Sequence, residues 1–312
     1  MKRLGFIITL GLILAGNAPA QQIVFSGYEV FPARAERVHF GVVAAPGQII
    51  SLFVSGLGDK RGEADHLPLP TTLAGVTVSL DGGLPMPLLA VRPRGQGLTE
   101  IIVQILFELR PEDVAGFFGH YQISVSGGPR VPLAVPNDNI RVLTSREPRP
   151  FDRPLLLSSC CPLPPYPLVT HADGSLVTES KPAKAGEMLV AYSFGLGLTN
   201  PPVRSGEASP SPPAQVANLL LGFEFRENAP PRHPIPPGPI NLNLLQQLPR
   251  PVFAGLTPGY VGLYQINFRV PDEIPAGLLA CGFGSVIPVW SNLTVSFARG
   301  QSFDGAAICV QP

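Results

Sequence analysis

Residues capable of acid–base, nucleophilic or metal chemistry are thinly spread along this chain. Its five histidines are His39, His66, His120, His171 and His233. None is spaced H-x-x-x-H or stands beside a cysteine pair, so no zinc-type ligand set is encoded. His171 and Asp173, in the run THADGS, come nearest to a general acid–base pair. Asp173-Gly174 is an ordinary turn dipeptide, however, which places His171 at a strand end rather than in a cleft. In Gly282-Phe283-Gly284-Ser285-Val286 the serine is displaced from the G-x-S-x-G nucleophile elbow and the closing glycine is missing. Asp59, Glu63 and Asp65, with His66 beside them, form a cluster rich in oxygen ligands of the kind Ca²⁺ accepts, although a solvated loop has the same composition. No catalytic, cofactor-binding or metal-ligating residue is assigned on this basis, and no cofactor is expected.

The remaining chemistry lies in cysteines and aromatics. Cys281 and Cys309 fall near strand ends of one predicted domain and are expected to pair. Cys160 and Cys161 are adjacent, in SSCCPLPP, so they either bond to each other in a strained ring or one pairs elsewhere. Tyr260, Tyr264, Phe268 and Trp290 would suit a sugar-binding platform if they were exposed together. Alternation sets Tyr264 and Phe268 on the face of Ile266, which points instead to the core. Asn292-Leu293-Thr294 is a formal glycosylation sequon.

The elements that must carry these residues are strands. With 38 Pro and 33 Gly in 312 residues, long helices are excluded, because Pro in a helix interior costs ~3 kcal/mol. Lys and Arg number 22, as do Asp and Glu, so the cationic excess needed to neutralise phosphates is absent and nucleic acid is excluded as a partner. Val76, Val78 and Leu80 alternate with Thr77 and Ser79 and end at the hairpin signal Asp81-Gly82. Tyr121, Ile123 and Val125 alternate before Gly127-Gly128, with Val131, Leu133 and Val135 beyond. Tyr264, Ile266, Phe268 and Val270 alternate in the second half, as do Leu293, Val295 and Phe297 with Thr294 and Ser296 between them. Leu242–Leu248 offers a turn or two of helix. Short strands between Pro/Gly turns are the mark of antiparallel sandwiches.

An internal repeat organises the whole. PGQIISLFVSGLG (46–58) aligns without gaps with AGEMLVAYSFGLG (185–197). Gly47 matches Gly186, and Gly56-Leu57-Gly58 matches Gly195-Leu196-Gly197. The physical reading is Gly-turn, strand, Gly-turn, with the leucine plugging the core. A phosphate loop is excluded, because neither copy continues to the third glycine of G-x-G-x-x-G.

The N-terminus reads as an address. Lys2 and Arg3, the apolar run Leu4–Ala15 and then Ala18-Pro19-Ala20 form a signal peptide over residues 1–20, with cleavage before Gln21. The apolar run falls short of the ~20 residues a membrane span requires, so no span is expected after cleavage. The product is expected to be secreted, periplasmic or on the cell surface, where an even cysteine count reads as disulfides. The expected layout is an N-terminal sandwich over 21–143, a Pro-rich linker over 144–167 and a C-terminal sandwich over 168–312. A Pro-rich surface loop at 201–239 belongs to the last of these.

VTHADGSLVTESKPAKAGEMLVAYSFGLGLTNPPVRSGEASP (169–210), FAGLTPGYVGLYQINFRVPDEIPAG (253–277) and SNLTVSFARGQSFDGAAICV (291–310) resemble a C-terminal domain family of uncharacterised secreted proteins found as paralogous sets in acidobacteria. PGQIISLFVSGLG through LPTTLAGVTVSL looks like the partner module of such proteins. The resemblance implies immunoglobulin-like sandwiches of the IPT/TIG kind and no catalytic residues or cofactor. The Pro-rich 201–239 loop and the adjacent cysteines depart from the family, so no shared disulfide pattern is carried over. The expectation is an all-β protein of two tandem immunoglobulin-like antiparallel sandwiches, non-catalytic, acting in surface binding, adhesion or assembly on a cell-envelope protein or polysaccharide. A carbohydrate-binding module is the alternative, and an exported hydrolase on a β scaffold comes last.

Overall fold

The structure is a computed structural model that describes residues 22–27, 36–37, 41–81, 83–111, 121–145, 164–235, 242–282, 288–300 and 302–312. The signal segment, Cys160, Cys161 and most of the proposed linker lie outside the described residues. The first half contributes β1 (Gln22–Gly27), β2 (Glu36–Arg37), β3 (Val42–Val43), β4 (Ile49–Ser55), β5 (Gly62–Glu63) and β6 (Thr72–Leu73). It continues with β7 (Val76–Leu80), β8 (Leu84–Pro85), β9 (Leu88–Gly95), β10 (Leu98–Gln104), β11 (Tyr121–Val125) and β12 (Val131–Ala134). Then follow β13 (Arg141–Val142), β14 (Val169–Thr170), β15 (Met188–Phe194), β16 (Leu220–Glu224), β17 (Phe253–Leu256), β18 (Tyr264–Arg269), β19 (Leu293–Arg299) and β20 (Ser302–Ile308). The helix described is α1 (Leu242–Gln247), a turn and a half where the sequence offered it.

The first half has one sheet ordered β2-β1-β4-β10-β9-β5 and another ordered β3-β12-β11-β7-β6. The second has β13-β15-β18-β17, with β14 also on β15, and β16-β19-β20. Pairing is antiparallel except for β3 on β12 and the bridge of Ala183 to Val310, both parallel. Inward residues of β7 (Val76, Val78, Leu80) and β18 (Tyr264, Ile266, Phe268) are buried, following their alternation. They feed two apolar cores, one per half.

Both glycine-flanked segments form the same local structure. Gly47, Gly56, Gly58, Gly186, Gly195 and Gly197 all have positive φ, the region that Cβ sterics close to most residues. Gln48 Oε1 accepts the Ala45 amide at 2.8 Å, and Glu187 Oε2 accepts the Lys184 amide at 2.8 Å. The Gly47 amide donates to the Ile105 carbonyl and the Gly186 amide to that of Val270. Leu57 is 5% exposed and Leu196 is fully buried.

Three features depart from the sequence expectation. Arg141–Val142, expected in the first unit, pairs with β15, and Ile140 and Val142 join the second core. The polypeptide therefore crosses between halves at 136–140, ahead of the Pro-rich stretch. Second, the 201–239 tract holds a strand: prolines crowd its two ends, while Asn218–Phe225 is proline-free and apolar enough to form β16 on β19. Third, β19 is buried on both faces rather than alternating. The segment Ala229–Ile235 straps its outer side: Thr294 Oγ1 donates to the Ala229 carbonyl and the Arg232 amide to Ser296 Oγ. Gly222 and Gly305 leave room for Pro234 and Pro231, where a Cβ would come within 3.0 and 2.8 Å.

Candidate functional site

His171 follows β14, and Glu187 sits in the turn before β15. The His171 ring lies in the body of the protein, 7% exposed, with Nδ1 2.6 Å from Glu187 Oε1 and Nε2 3.2 Å from the Lys181 carbonyl oxygen. Its partner is thus Glu187, not Asp173. Burial raises the Glu187 carboxyl, but the hydrogen bonds from His171 and the Lys184 amide outweigh it and hold the group below the usual glutamate range. Asp173 faces solvent and accepts from the Ser175 amide at 3.0 Å and from Lys181 Nζ at 2.7 Å, contacts that hold it well below the ordinary range. Lys181 Nζ also bonds Ser175 Oγ. Both ring nitrogens of His171 are engaged by main chain and carboxylate, so neither is presented to a serine or a water as a base. The arrangement ties the loop 171–187 together.

Glu63 accepts from Arg92 Nε at 2.9 Å, because pairing of β5 with β9 sets them side by side. His66 lies 3.9 Å from Asp65, and among the described residues no three His, Cys, Asp or Glu side chains converge as a cation site would require. The four aromatics do not share a surface. Tyr264 and Phe268 are fully buried, the Tyr264 hydroxyl donating to the Gly197 carbonyl, while Trp290 is half-buried and Tyr260 is 59% exposed. The sequon asparagine is fully buried: Asn292 Nδ2 donates to the Leu279 and Val310 carbonyls at 2.9 and 2.8 Å, and Oδ1 accepts the Val310 amide at 2.7 Å. Cys281 and Cys309 are joined by a disulfide with Cα atoms 5.9 Å apart, tying the segment after Ala280 to the end of β20.

A polar constellation lies where the halves meet. Gln104 Oε1 accepts the Gly206 amide at 2.6 Å, and Ser205 Oγ accepts the Phe107 amide at 2.7 Å while donating to Glu108 at 2.6 Å. Ile49, Ala90 and Ile102 pack with Phe194 and Val261 beside them. The crossing segment itself threads along the second Gly-Leu-Gly. The Asn139 amide donates to the Gly195 carbonyl at 2.7 Å, and Asn139 Nδ2 to the Val43 carbonyl at 3.0 Å. Arg299 donates to the Leu196 carbonyl, and the Ile140 amide to Ser302 Oγ at 2.7 Å. Asp138, 6% exposed, is pushed up to about 6 by burial, against Arg299 and hydrogen bonds from Ser302. Sequence reasoning passed over Asp138 because Asn137-Asp138-Asn139 reads as a solvated turn; nothing local announces its burial. What the geometry offers is a hydrogen-bonded joint between the sheets of the first half and those of the second. No protein-family model matches the chain, and no curated protein matches it.

Proposed function

We propose that this is an exported, non-catalytic protein of two immunoglobulin-like sandwiches that binds at or beyond the cell surface. The observation that carries the reading is strand order. In chain order, with the two-residue β13 counted and the equally short β14, which pairs with the same strand β15, set aside, the second half runs β13, β15, β16, β17, β18, β19 and β20; the first, second, fifth and fourth share one sheet while the third, sixth and seventh share the other. A constant-type immunoglobulin domain divides its strands four plus three in the same order, and this likeness supports the reading. β1, β4, β7, β9, β10, β11 and β12 divide in the same way in the first half. The disulfide and the expected signal peptide support export, and the resemblance to secreted acidobacterial modules agrees with it. The engaged nitrogens of His171 give no support to a hydrolase, and the burial of Tyr264 and Phe268 removes half of the sugar platform. The test is retention of the purified mature protein on isolated cell-envelope fractions and on a glycan array. Saturable retention without turnover of ester, amide or glycoside reporters is the expected result. Turnover of any reporter that His171→Ala abolishes would overturn the reading.

A further inference from the structure

Asp138 is a buried carboxylic acid at the one stretch of backbone that carries the described chain from the first half into the second. Its Oδ1 is buried without a hydrogen-bond partner, and Oδ2 lies against Gly300, 3.3 Å from where a Cβ would stand. Ser302 joins it to the crossing: the Ser302 hydroxyl accepts the Ile140 amide and bonds the Asp138 carboxyl. Arg299 acts on Asp138 from β19 and His233 from the strap, whose ring meets Phe303 edge-on at 5.4 Å. Arg299 is already committed to the Leu196 carbonyl. On the neighbouring strands Asp304 accepts the Val142 amide at 2.8 Å, and Arg141 is engaged in its own interactions.

We propose that Asp138 is a proton-controlled latch on the crossing between the two halves: neutral, it holds residues 137–140 against the second Gly-Leu-Gly, and ionised, it loosens them. The physical reason is that a carboxylate in this position has one oxygen facing no donor, so ionisation brings a desolvation cost that Arg299, the Ser302 hydroxyl and amide, and His233 offset only in part. Loosening lets water reach Oδ1, at the expense of the Asn139 and Ile140 amide bonds. The sign follows from the raised native value. The favourable contribution is complete below the ordinary aspartate range and is lost as pH rises through about 6. A rise from 3.8 to about 6 corresponds to a local opening equilibrium larger by up to roughly a hundredfold at pH 8 than at pH 4.

The experiment is amide hydrogen exchange of the full mature protein between pH 4.5 and 8, with rates divided by their intrinsic values. Protection of the Asn139 and Ile140 amides is expected to fall tens of fold across this range, while Leu52 in β4 holds steady. In Asp138→Asn, which keeps the shape and the neutral form, the fall is expected to vanish. A flat wild-type profile, an equal fall at Leu52, or a fall that persists in Asp138→Asn overturns the proposal. A carbon-detected titration of the Asp138 carboxyl in the wild-type protein needs no variant: a midpoint near 6 supports the latch and a midpoint near 4 overturns it.

Discussion

Gly58 and Gly197 each end a Gly-Leu-Gly that follows a strand, and the structure gives their replacement by alanine unequal costs. Both glycines have positive φ, +70° at Gly58 and +79° at Gly197. An alanine held there costs about 1–2 kcal/mol from Cβ–carbonyl sterics alone. At Gly58 that is the whole effect, because a Cβ would meet nothing within 4 Å. At Gly197 it would stand 3.2 Å from the Asn137 carbonyl carbon and from Arg299 Nη1, and closer still to the Asn137 oxygen. Ordinary carbon contacts lie at roughly 3.5–4.0 Å, so the crossing backbone must move. Displacement adds about 1–3 kcal/mol of overpacking and endangers the Asn139–Gly195 and Arg299–Leu196 hydrogen bonds, each worth about 1 kcal/mol net. Gly58→Ala is therefore expected to lose about 1–2 kcal/mol and Gly197→Ala about 3–5 kcal/mol. Urea unfolding followed by far-UV circular dichroism reads the difference as a larger drop in midpoint. Equal midpoints for the two variants would refute the claim that the second Gly-Leu-Gly is shaped by the crossing chain.

Other perturbations follow from the same geometry. Glu187 titrates below its ordinary value, so its contribution is present above the usual glutamate range and is lost as pH falls through the depressed native value. Glu187→Gln retains a Gln48-like cap but not the carboxylate that faces His171, and is expected to flatten the acid side of a urea-midpoint profile between pH 3 and 6. Asn292→Ala leaves the Leu279 and Val310 carbonyls and the Val310 amide without their partner and is expected to lose about 2–4 kcal/mol in calorimetry. Replacing Cys281 and Cys309 by serine opens a loop of sequence separation 28, with an expected loss of about 3–4 kcal/mol that reducing agent reproduces in the wild type.

Local chemistry made the strands legible. Period-two alternation in Val76–Leu80 and Tyr264–Arg269 reports a face that water avoids, and it needs no distant residue to interpret. The six repeat glycines were readable for a like reason: positive φ is a property of one residue's own backbone. Cys281 and Cys309 both fall near strand ends of the second half, a local signal for pairing, and the structure joins them. The β16 strand was hidden by the prolines around it, since composition over 201–239 averaged a short apolar run with its Pro-rich ends.

The tertiary structure alone decided what each face meets. Thr294 and Ser296 have the sequence pattern of an open face, and only the folding back of Ala229–Ile235 buries them. His171 stood two residues from Asp173, yet its carboxylate came from Glu187, sixteen residues away across the β14–β15 pairing. Asp138 looks like a turn residue until Gly300 and Ser302, at the turn from β19 into β20, close over it. Strand propensity and turn conformation are encoded in runs of a few residues. Burial and protonation depend on which distant surface arrives, and in a β fold that is settled by non-local packing.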